Sequence, residues 1–409
     1  MKHRETKVKK PATRVRRIVK WSIWGIVALL LGNLLNFGAQ ALIRAKSAHE
    51  DVAMAAADVG RDLGYGPLMA LSENIYYQVI NPAAVGGKPT TGAVFGKVVP
   101  KITAVPTASP IPTAPVNNPA WGPANGSSDA PANLVTPAKT ALKGEGVWQP
   151  TRIVVNGQVA IRITRVRPDA VHTSFWDTLI WMDPKLLAFQ QIPGTLEPTG
   201  NYDHGTGKVS ADLRPFYVAG INGGYKTVNM HGGFFYKGQT VIPLRDNVAT
   251  LLTYPDGSID VANWGHDKIK SGYISARQNL PMLVENGKNQ VTDNNAAQWG
   301  SLAWGTASGG NFVWRSAIGV RADGTVVHLV GPSMSQSDLA DLMVRAGAVR
   351  AMCLDMNNGW ASSFLYGPYA HGNGVPVDPQ IPRSPSRFLL SSTRDFIAVF
   401  AKSPLTVAK

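Results

Sequence analysis

From about Trp148 onward, short apolar runs alternate with turn signals, which is the pattern of β-hairpins. Each of three regions has a tight-turn sequence between two apolar runs. The predicted hairpins span residues 152–164 around Asn156-Gly157, 248–262 around Pro255-Asp256-Gly257, and 317–330 around Asp323-Gly324. The pattern therefore predicts an α+β fold of mixed, largely antiparallel sheets built from hairpins.

After Pro332 the apolar spacing changes to that of a helix. Ser335 can cap this helix together with Asp338, and Gly347 can end it. Residues 348–354 then form an apolar run that predicts a buried strand. The fold is therefore expected to be a single globular domain with a few packed helices.

The apolar run Trp21–Ile43 contains no charged residue and has about the length needed to cross a bilayer as a helix. A basic tail precedes it, so the positive-inside rule predicts a single-pass protein of the cell membrane, with a cytoplasmic N-terminus and an extracellular main domain. The alternative is a signal peptide, because Ala39-Gln40-Ala41 resembles a cleavage site; the protein would then be secreted after cleavage near Ala41.

The remaining segments of the chain differ in composition, and these differences predict how the chain is organised. The stretch Pro67–Ile80 has the apolar spacing of an amphipathic helix, and the following proline-rich and alanine-rich sequence cannot bury enough apolar surface to fold. The predicted organisation is a basic cytoplasmic tail at 1–20, a transmembrane signal anchor at 21–43, a membrane-proximal helical segment at 44–80, a flexible spacer at 81–147, a globular domain at 148–400 and a C-terminal tail at 401–409.

The formal net charge of +14 is concentrated at the N-terminus, where the first twenty residues hold nine Lys and Arg residues against one Glu. The remaining body has no block of like charge, so nucleic acid is not expected as a partner. The single cysteine, Cys353, lies among apolar residues and is predicted to be a buried structural thiol. A chain outside the cytoplasm without disulfides is typical of a bacterial cell envelope.

Two glycine-bearing segments could carry chemistry. Asn222-Gly223-Gly224-Tyr225 follows an apolar strand, and its glycines would let the backbone approach a ligand, although such a sequence is more often an ordinary turn. His231-Gly232-Gly233 repeats the pattern with an imidazole. Arg245-Asp246 could bind an anionic group of a ligand, or it could be an exposed ion pair.

Arg315 interrupts a strand of small and apolar residues, so its guanidinium is expected to need an anionic partner or ligand. Asp355 ends the predicted buried strand and precedes a polar loop with Asn357, Ser362 and Ser363. Arg315 and Asp355 could form a functional site or a structural ion pair, and the residues alone favour neither.

Taken in order, these motifs resemble the phosphodiester glycosidase family. The resemblance covers Trp148 to Phe400, and order and spacing carry it rather than any single motif. The matching segments are Asn222–Tyr225, Pro281–Gly287, Arg315–Gly319, Asp323-Gly324, Asp338–Ala340 and Leu354-Asp355. Where the family has a short glycine-rich loop after the aspartate, this chain has the longer and bulkier Met356–Ala361.

The resemblance implies a hydrolase that cleaves the bond from a sugar's anomeric carbon to a phosphodiester oxygen in a phosphorylated glycan or cell-wall polymer. It implies water activation or oxocarbenium stabilisation by Asp355, phosphate contact by Arg315 and proton transfer by His231. The implied substrate-binding residues are Asn222, Gly223, Gly224, Asn357, Ser362, Ser363 and Arg245.

No cofactor is expected, and no spacing of His and carboxylates predicts a metal site, although a divalent cation is left open. Expected partners are the glycan substrate and, through residues 21–43, the membrane. The alternative function is that of a non-catalytic glycan-binding or scaffold protein of the cell envelope, because the loop after Asp355 differs from that of the family.

Overall fold

Residues 31–46, 63–75, 82–93, 121–300, 312–357, 359–369 and 372–405, with a few single residues between 52 and 80, are described by a computed structural model. Residues 31–46 are helical, and two further helices are α1 (Gly66–Ile75) and α2 (Gln336–Arg345). The chain divides into two compact units, Met1–Met69 and Ala70–Lys409, and the second contains every strand described below.

The strands described in the second unit are short, and all of them lie after residue 148. They are β1 (Gln149–Pro150), β2 (Val154–Val155), β3 (Gln158–Val159), β4 (Ile161–Val166), β5 (Asp177–Met182), β6 (Leu187–Ile192), β7 (Tyr217–Asn222), β8 (Phe234–Tyr236), β9 (Gln239–Ile242), β10 (Ala249–Thr253), β11 (Ile259–Asn263), β12 (Ser275–Gln278), β13 (Met282–Glu285), β14 (Lys288–Asn289), β15 (Val313–Arg321), β16 (Val326–Met334), β17 (Ala348–Cys353), β18 (Ser363–Leu365), β19 (Val375–Pro376) and β20 (Phe396–Ala401).

Three sheets organise this unit. An eight-stranded sheet has the order β1-β4-β5-β16-β15-β17-β13-β14, and two five-stranded sheets have the orders β19-β18-β7-β20-β6 and β11-β10-β12-β8-β9. Neighbouring strands are antiparallel in all three sheets, as in the sheet registers of β15 with β16 and of β20 with β7. The predicted α+β fold of largely antiparallel sheets in one globular domain is confirmed.

The predicted hairpins are present. The β2–β3 hairpin turns at Asn156 and Gly157, whose φ values of 49° and 75° are those that a two-residue hairpin turn requires. The β10–β11 and β15–β16 hairpins also form. One detail differs: the predicted strand at 158–164 is split, because β4 leaves the small hairpin and pairs with β5 in the eight-stranded sheet, where Ile161 and Ile163 are fully buried.

Helix α2 begins and ends where its sequence predicts. The side chain of Ser335 accepts a hydrogen bond from the backbone N–H of Asp338, and the Asp338 carboxylate accepts one from the N–H of Ser335. Gly347, with φ of 84°, follows the helix end. The apolar face of α2 packs on the eight-stranded sheet through residues that include Leu339 and Met343.

The described residues form three apolar cores, of which two are large. The larger joins the inner faces of the three sheets and includes Ile180, Phe396 and Leu251. The smaller lies between the eight-stranded sheet and α2 and contains Cys353, so the predicted burial of this thiol is confirmed. Burial raises the pKa of Cys353 to about 12, which leaves it protonated and unreactive at neutral pH.

The prediction of a single-pass membrane protein is wrong. Among the described residues, no helix is both long and apolar enough to cross a bilayer. The described part of the predicted anchor lies in the helical residues 31–46, whereas 1–30 fall outside the described residues. The membrane as a partner, and the cellular location inferred from the anchor, are therefore not supported.

The division of the chain at residues 44, 81, 148 and 401 stays a prediction. Helix α1, at Gly66–Ile75, overlaps the predicted amphipathic stretch Pro67–Ile80. Part of the predicted spacer contacts the domain: Trp121 stacks on Phe400 with ring centroids 4.9 Å apart, and the Glu145 carboxylate forms an ion pair of 2.8 Å with Arg167.

Candidate active site at the end of β15

The site is built where β15 and β17 separate near one end of the eight-stranded sheet. The Ser316 N–H donates to the Asp355 carbonyl oxygen at 2.8 Å, and the Leu354 N–H donates to the Ser316 carbonyl oxygen at 2.8 Å. The Ser316 hydroxyl donates to the same Asp355 carbonyl at 3.0 Å and accepts from the Asp355 N–H at 3.1 Å. One serine therefore fixes the backbone of the aspartate.

Both carboxylate oxygens of Asp355 have hydrogen-bond donors. Oδ1 accepts from the Asn357 N–H at 2.9 Å, and Oδ2 accepts from Nη2 of Arg394 at 2.7 Å. The same Nη2 atom lies 2.7 Å from the carbonyl oxygen of Gly224. Asp355 is only 3% exposed, so this is a buried ion pair whose charges are screened little by solvent.

Asn222, the last residue of β7, joins the site to a second sheet. Its amide nitrogen donates to the Ser316 hydroxyl at 2.9 Å, and its amide oxygen accepts from the Ser362 N–H at 3.0 Å. The neighbouring Gly223 N–H donates to the carbonyl oxygen of Asp395 at 3.1 Å. A Cβ atom on Gly223 would lie 2.6 Å from the Asp395 carboxyl carbon, so this position accommodates only glycine without a shift.

Behind the glycines lies a second buried ion pair. Nε of Arg277 is 3.1 Å from Oδ2 of Asp395, and Gln191 donates to the same oxygen at 2.7 Å. Arg277 also donates to the Tyr225 carbonyl oxygen at 2.5 Å. Burial raises the pKa of Asp395, and the charge of Arg277 opposes this effect. Together, Arg394-Asp395 and Arg277 hold the backbone of the Asn222–Tyr225 turn.

Trp360, in the loop after Asp355, lies among three guanidinium groups. The ring centroid is 4.2 Å from Cζ of Arg387, 4.6 Å from Cζ of Arg394 and 5.2 Å from Cζ of Arg383. Nη1 of Arg387 also donates to the Ser362 hydroxyl at 2.8 Å. We call Trp360 and these three arginines the arginine cluster. It places concentrated positive charge directly beside Asp355.

Arg315 lies elsewhere. Adjacent residues of a strand point to opposite faces of the sheet, so Arg315 faces α2 while Ser316 faces the site. The fully buried Arg315 guanidinium donates to the carbonyl oxygens of Met334 at 2.8 Å and Trp299 at 3.2 Å, and burial lowers its pKa. In the described part of the chain no hydrogen bond joins Arg315 to Asp355, whose ionic partner is Arg394.

Ser363 also points away from the site, into the core between the sheets. Its hydroxyl lies 2.5 Å from Nε2 of His328, and Nδ1 of His328 lies 2.8 Å from the carbonyl oxygen of Ala317. Since a carbonyl only accepts, Nδ1 carries the proton and Nε2 accepts from the serine. Burial lowers the pKa of His328 to about 3, so this imidazole is neutral near pH 7.

The two remaining predicted residues are at the surface. His231 and Arg245 are exposed, and within the described part of the chain no hydrogen bond joins either side chain to Asn222 or Asp355. Of the predicted site residues, the structure therefore brings together Asn222, Gly223, Gly224, Asp355, Asn357 and Ser362. Among the described residues, no group of three or more His, Cys, Asp or Glu side chains is arranged to hold a metal ion.

Four arginines and one aspartate of this site were missed by sequence reasoning. The available signal was weak: Arg394-Asp395 immediately precedes the buried strand β20, and Arg383 and Arg387 flank a serine- and proline-rich turn. Arg277 was a comparable signal, since it lies within the fully buried strand β12.

Comparison with known proteins identifies the class of this domain. Residues 216–379 match the model of the phosphodiester glycosidase family. This segment contains Asn222, Ser316, Asp355 and Ser362, whereas Arg383, Arg387 and Arg394 follow it. Residues 216–379 thus form a domain of the phosphodiester glycosidase family.

Solved structures give weaker likenesses. A hypothetical protein from Synechocystis shares 15% identity with a TM-score of 0.36, over 62% of this chain and 64% of that one, so the match spans slightly less than two thirds of the Synechocystis protein. The catalytic domain of zebrafish N-acetylglucosamine-1-phosphodiester alpha-N-acetylglucosaminidase, auto-inhibited by its pro-peptide, shares 14% identity with a TM-score of 0.37, over 66% and 86%.

A putative exported protein from Burkholderia pseudomallei shares 12% identity with a TM-score of 0.30, over 56% of this chain and 74% of that one. A comparison with curated proteins gives no significant match. The family assignment rests on the match over residues 216–379.

Proposed function

We propose that the protein hydrolyses the bond between the anomeric carbon of a sugar and a phosphodiester oxygen, within a phosphate-linked glycan. The observation that carries this proposal is the position of the Asp355 carboxylate, held by Arg394 and Asn357 next to the arginine cluster. A carboxylate beside several guanidinium groups suits a reaction in which a cationic sugar carbon separates from an anionic phosphate.

In the proposed reaction, water attacks the anomeric carbon and the bond from that carbon to the phosphate oxygen breaks. Asp355 either accepts a proton from the water, or stabilises positive charge on the sugar while that proton passes to solvent. The phosphomonoester leaves as an anion, and the products are a free sugar and that phosphomonoester. Because the leaving group is weakly basic, it needs less protonation than the alcohol released in ordinary glycoside hydrolysis.

The hydrogen bonds of the other site residues suggest their roles in the proposed reaction. Arg387 and Arg394 would hold the phosphate, since planar guanidinium groups bind phosphate oxygens in pairs. Ser362 lies at the edge of the cluster and would help to place the substrate. Asn222 uses its amide for bonds to Ser316 and Ser362, so we assign it to positioning the site.

One observation favours a second function, a glycan-binding protein without turnover. Asp355 is almost fully buried and both its oxygens accept hydrogen bonds within the protein. A carboxylate so enclosed leaves little surface through which water or a sugar could reach it.

The two functions differ in whether sugar is released. The full chain is incubated with methyl phosphodiesters of several sugar 1-phosphates, and free reducing sugar is measured for wild type, Asp355→Asn and the exposed control Asp212→Asn. The hydrolase predicts release that is lost in Asp355→Asn and retained in Asp212→Asn. Binding without release by the wild type would support the glycan-binding function, and equal release by all three proteins would remove Asp355 from the site.

A further inference from the structure

A second polar groove lies at the opposite end of β15 from the candidate active site. Its volume is about 360 Å³, and it opens between the β10–β11 hairpin and the ends of β15 and β17. Ser316 and Arg321 are five residues apart on β15, so the groove lies roughly 17 Å along the strand from Ser316, at about 3.4 Å per residue. The groove is therefore separate from the site at Asp355.

Three cationic side chains line this groove. Lys270, Arg321 and Arg350 line it, and Asp260 is the one carboxylate among its lining residues. Two other carboxylates, of Asp256 and Asp323, pair with Lys270 at 3.2 Å and Arg321 at 3.1 Å but do not line the groove. Since Asp260 pairs with Arg350 at 2.6 Å, each cation has one carboxylate partner, and an anion in the groove would bind by replacing these carboxylates as partner of the cations.

The arginines are held in place but keep donors for a ligand. Arg350 donates through Nε to the Val261 carbonyl oxygen and through Nη2 to Asp260, both at 2.6 Å, which leaves Nη1 without a bond among the described residues. Within the described residues, Arg321 donates through Nη1 alone, to Asp323 and Thr325. Preorganised guanidinium groups of this kind suit the paired oxygens of a phosphate.

Lys270 adds a mobile third cation. Its ammonium group lies 4.9 Å from the ring centroid of Tyr254, and its ion pair with Asp256 is exposed, with the lysine side chain 66% exposed. Ion pairs this exposed are weak, so Lys270 can exchange the carboxylate for a ligand anion at little cost.

We propose that this groove binds phosphate groups, either those of a phosphate-linked polymer or free phosphate. The proposal does not depend on the hydrolase function, because none of the groove residues belongs to the site at Asp355. If both proposals hold, the groove would retain one part of a polymer while another part occupies the active site.

Calorimetric titration with inorganic phosphate and with soluble poly(glycerol phosphate) tests the groove, using the full chain with Arg394→Gln so that phosphate binding at the arginine cluster is weakened. We expect Lys270→Gln and Arg321→Gln each to weaken binding about tenfold, since each removes a charge-assisted contact. The control Lys268→Gln removes an exposed lysine of the same segment that does not line the groove and should change nothing. If the polymer binds more tightly than inorganic phosphate, the ligand is the polymer. If the two bind equally per phosphate group, the ligand is free phosphate.

Arg394→Gln distinguishes phosphate binding in the groove from phosphate binding at the candidate active site. This variant should keep the binding that Lys270→Gln and Arg321→Gln weaken, whether or not it retains hydrolysis. The proposal is overturned if neither probe binds saturably, or if Lys268→Gln weakens binding as much as the groove variants do.

Discussion

Arg394 and Asp355 form the central contact of the candidate site, with 2.7 Å between Nη2 and Oδ2. The same nitrogen donates to the Gly224 carbonyl oxygen, so one guanidinium joins the loop after β17 to the glycine turn after β7. Those two segments are more than 130 residues apart in the chain. The contact therefore couples the charge of the aspartate to the position of the turn that carries Asn222.

Arg394→Gln should lower kcat for sugar release about 10²- to 10³-fold, because it removes the cation that is paired with Asp355 and that we propose to hold the phosphate. Arg394→Lys should lose less, since it keeps the charge but cannot present a planar guanidinium to both acceptors. Initial rates measured against substrate concentration would show both effects. A kcat unchanged in both variants would contradict the assignment of Arg394 to the site.

Arg315→Met changes a buried arginine outside the site and serves as the comparison for Arg394→Gln. Arg315 donates to the carbonyl oxygens of Met334 and Trp299 on the α2 face of the sheet, and its loss would leave these buried acceptors without that donor. We expect the free energy of unfolding to fall by about 1–3 kcal/mol per acceptor left unsatisfied, as measured by urea denaturation. The kcat of the folded variant should fall far less than that of Arg394→Gln. A loss of kcat as large as that of Arg394→Gln, without loss of stability, would restore Arg315 to the site.

Much of the fold could be predicted because its signals are local. The Asn156-Gly157 turn and the Ser335–Asp338 cap each depend on residues within one turn of chain. Asn222, Asp355 and Ser362 could also be selected, since polar residues that follow buried strands are visible in the sequence.

The partners of those residues could not be predicted in the same way. Arg315 and Ser316 are neighbours that point to opposite faces, and the sequence does not reveal which face of a strand buried on both sides holds the site. Arg394 reaches Asp355 only because β20 pairs with β7, a long-range contact that no local signal encodes. Likewise, an apolar run must be long enough to form a membrane helix, but its length alone does not show that it forms one.

Gly223→Ala should destabilise the protein, because the new methyl carbon would lie 2.6 Å from the carboxyl carbon and Oδ2 of Asp395. Overpacking of this kind costs about 1–3 kcal/mol. Gly224→Ala is the matched control, since its nearest atom is Cγ of Asn279 at 3.0 Å, and it should cost less. Urea denaturation measures both. Equal stability of Gly223→Ala and wild type would show that the Asn222–Tyr225 turn can move away from Asp395.

Trp360 should determine how tightly the arginine cluster binds phosphate. An indole face attracts cations more strongly than a phenyl ring, and each such contact contributes about 0.5–2 kcal/mol. Trp360→Leu should therefore raise the inhibition constant of inorganic phosphate more than Trp360→Phe does. Phosphate inhibition of sugar release, measured at fixed pH and ionic strength, gives these constants. The same inhibition constant in both variants would mean that Trp360 is only a packing residue.

Asp177 should make the stability of the fold depend on pH. It is fully buried at the start of β5, and neither carboxylate oxygen has a hydrogen-bond partner among the described residues. Burial, followed by the charges of Asp378, Asp338 and Asp169, raises the pKa of Asp177 well above its ordinary value.

The sign of the effect follows from proton binding. Above about pH 4 the unfolded chain has lost this proton while the folded protein retains it, so the free energy of unfolding falls as the pH rises toward the folded-state pKa of Asp177. The contribution is at most about 1.4 kcal/mol per pH unit. Asp177→Asn keeps the shape of the side chain without ionising. It should therefore match wild type more closely at pH 4 than at pH 7, and at pH 7 it should be the more stable protein.

Urea denaturation at pH 4, 5.5 and 7 tests this expectation, with the exposed Asp212→Asn as the control whose pH dependence should follow that of wild type. If Asp177→Asn shows the same pH dependence as Asp212→Asn, the Asp177 carboxyl is not held neutral in the folded protein. Since a Cβ atom on Gly331 would lie 1.8 Å from Oδ1 of Asp177, Gly331→Ala should displace this carboxyl and lower stability at every pH. A uniform loss in Gly331→Ala, together with a pH-dependent gain in Asp177→Asn, would separate packing at this site from its ionisation.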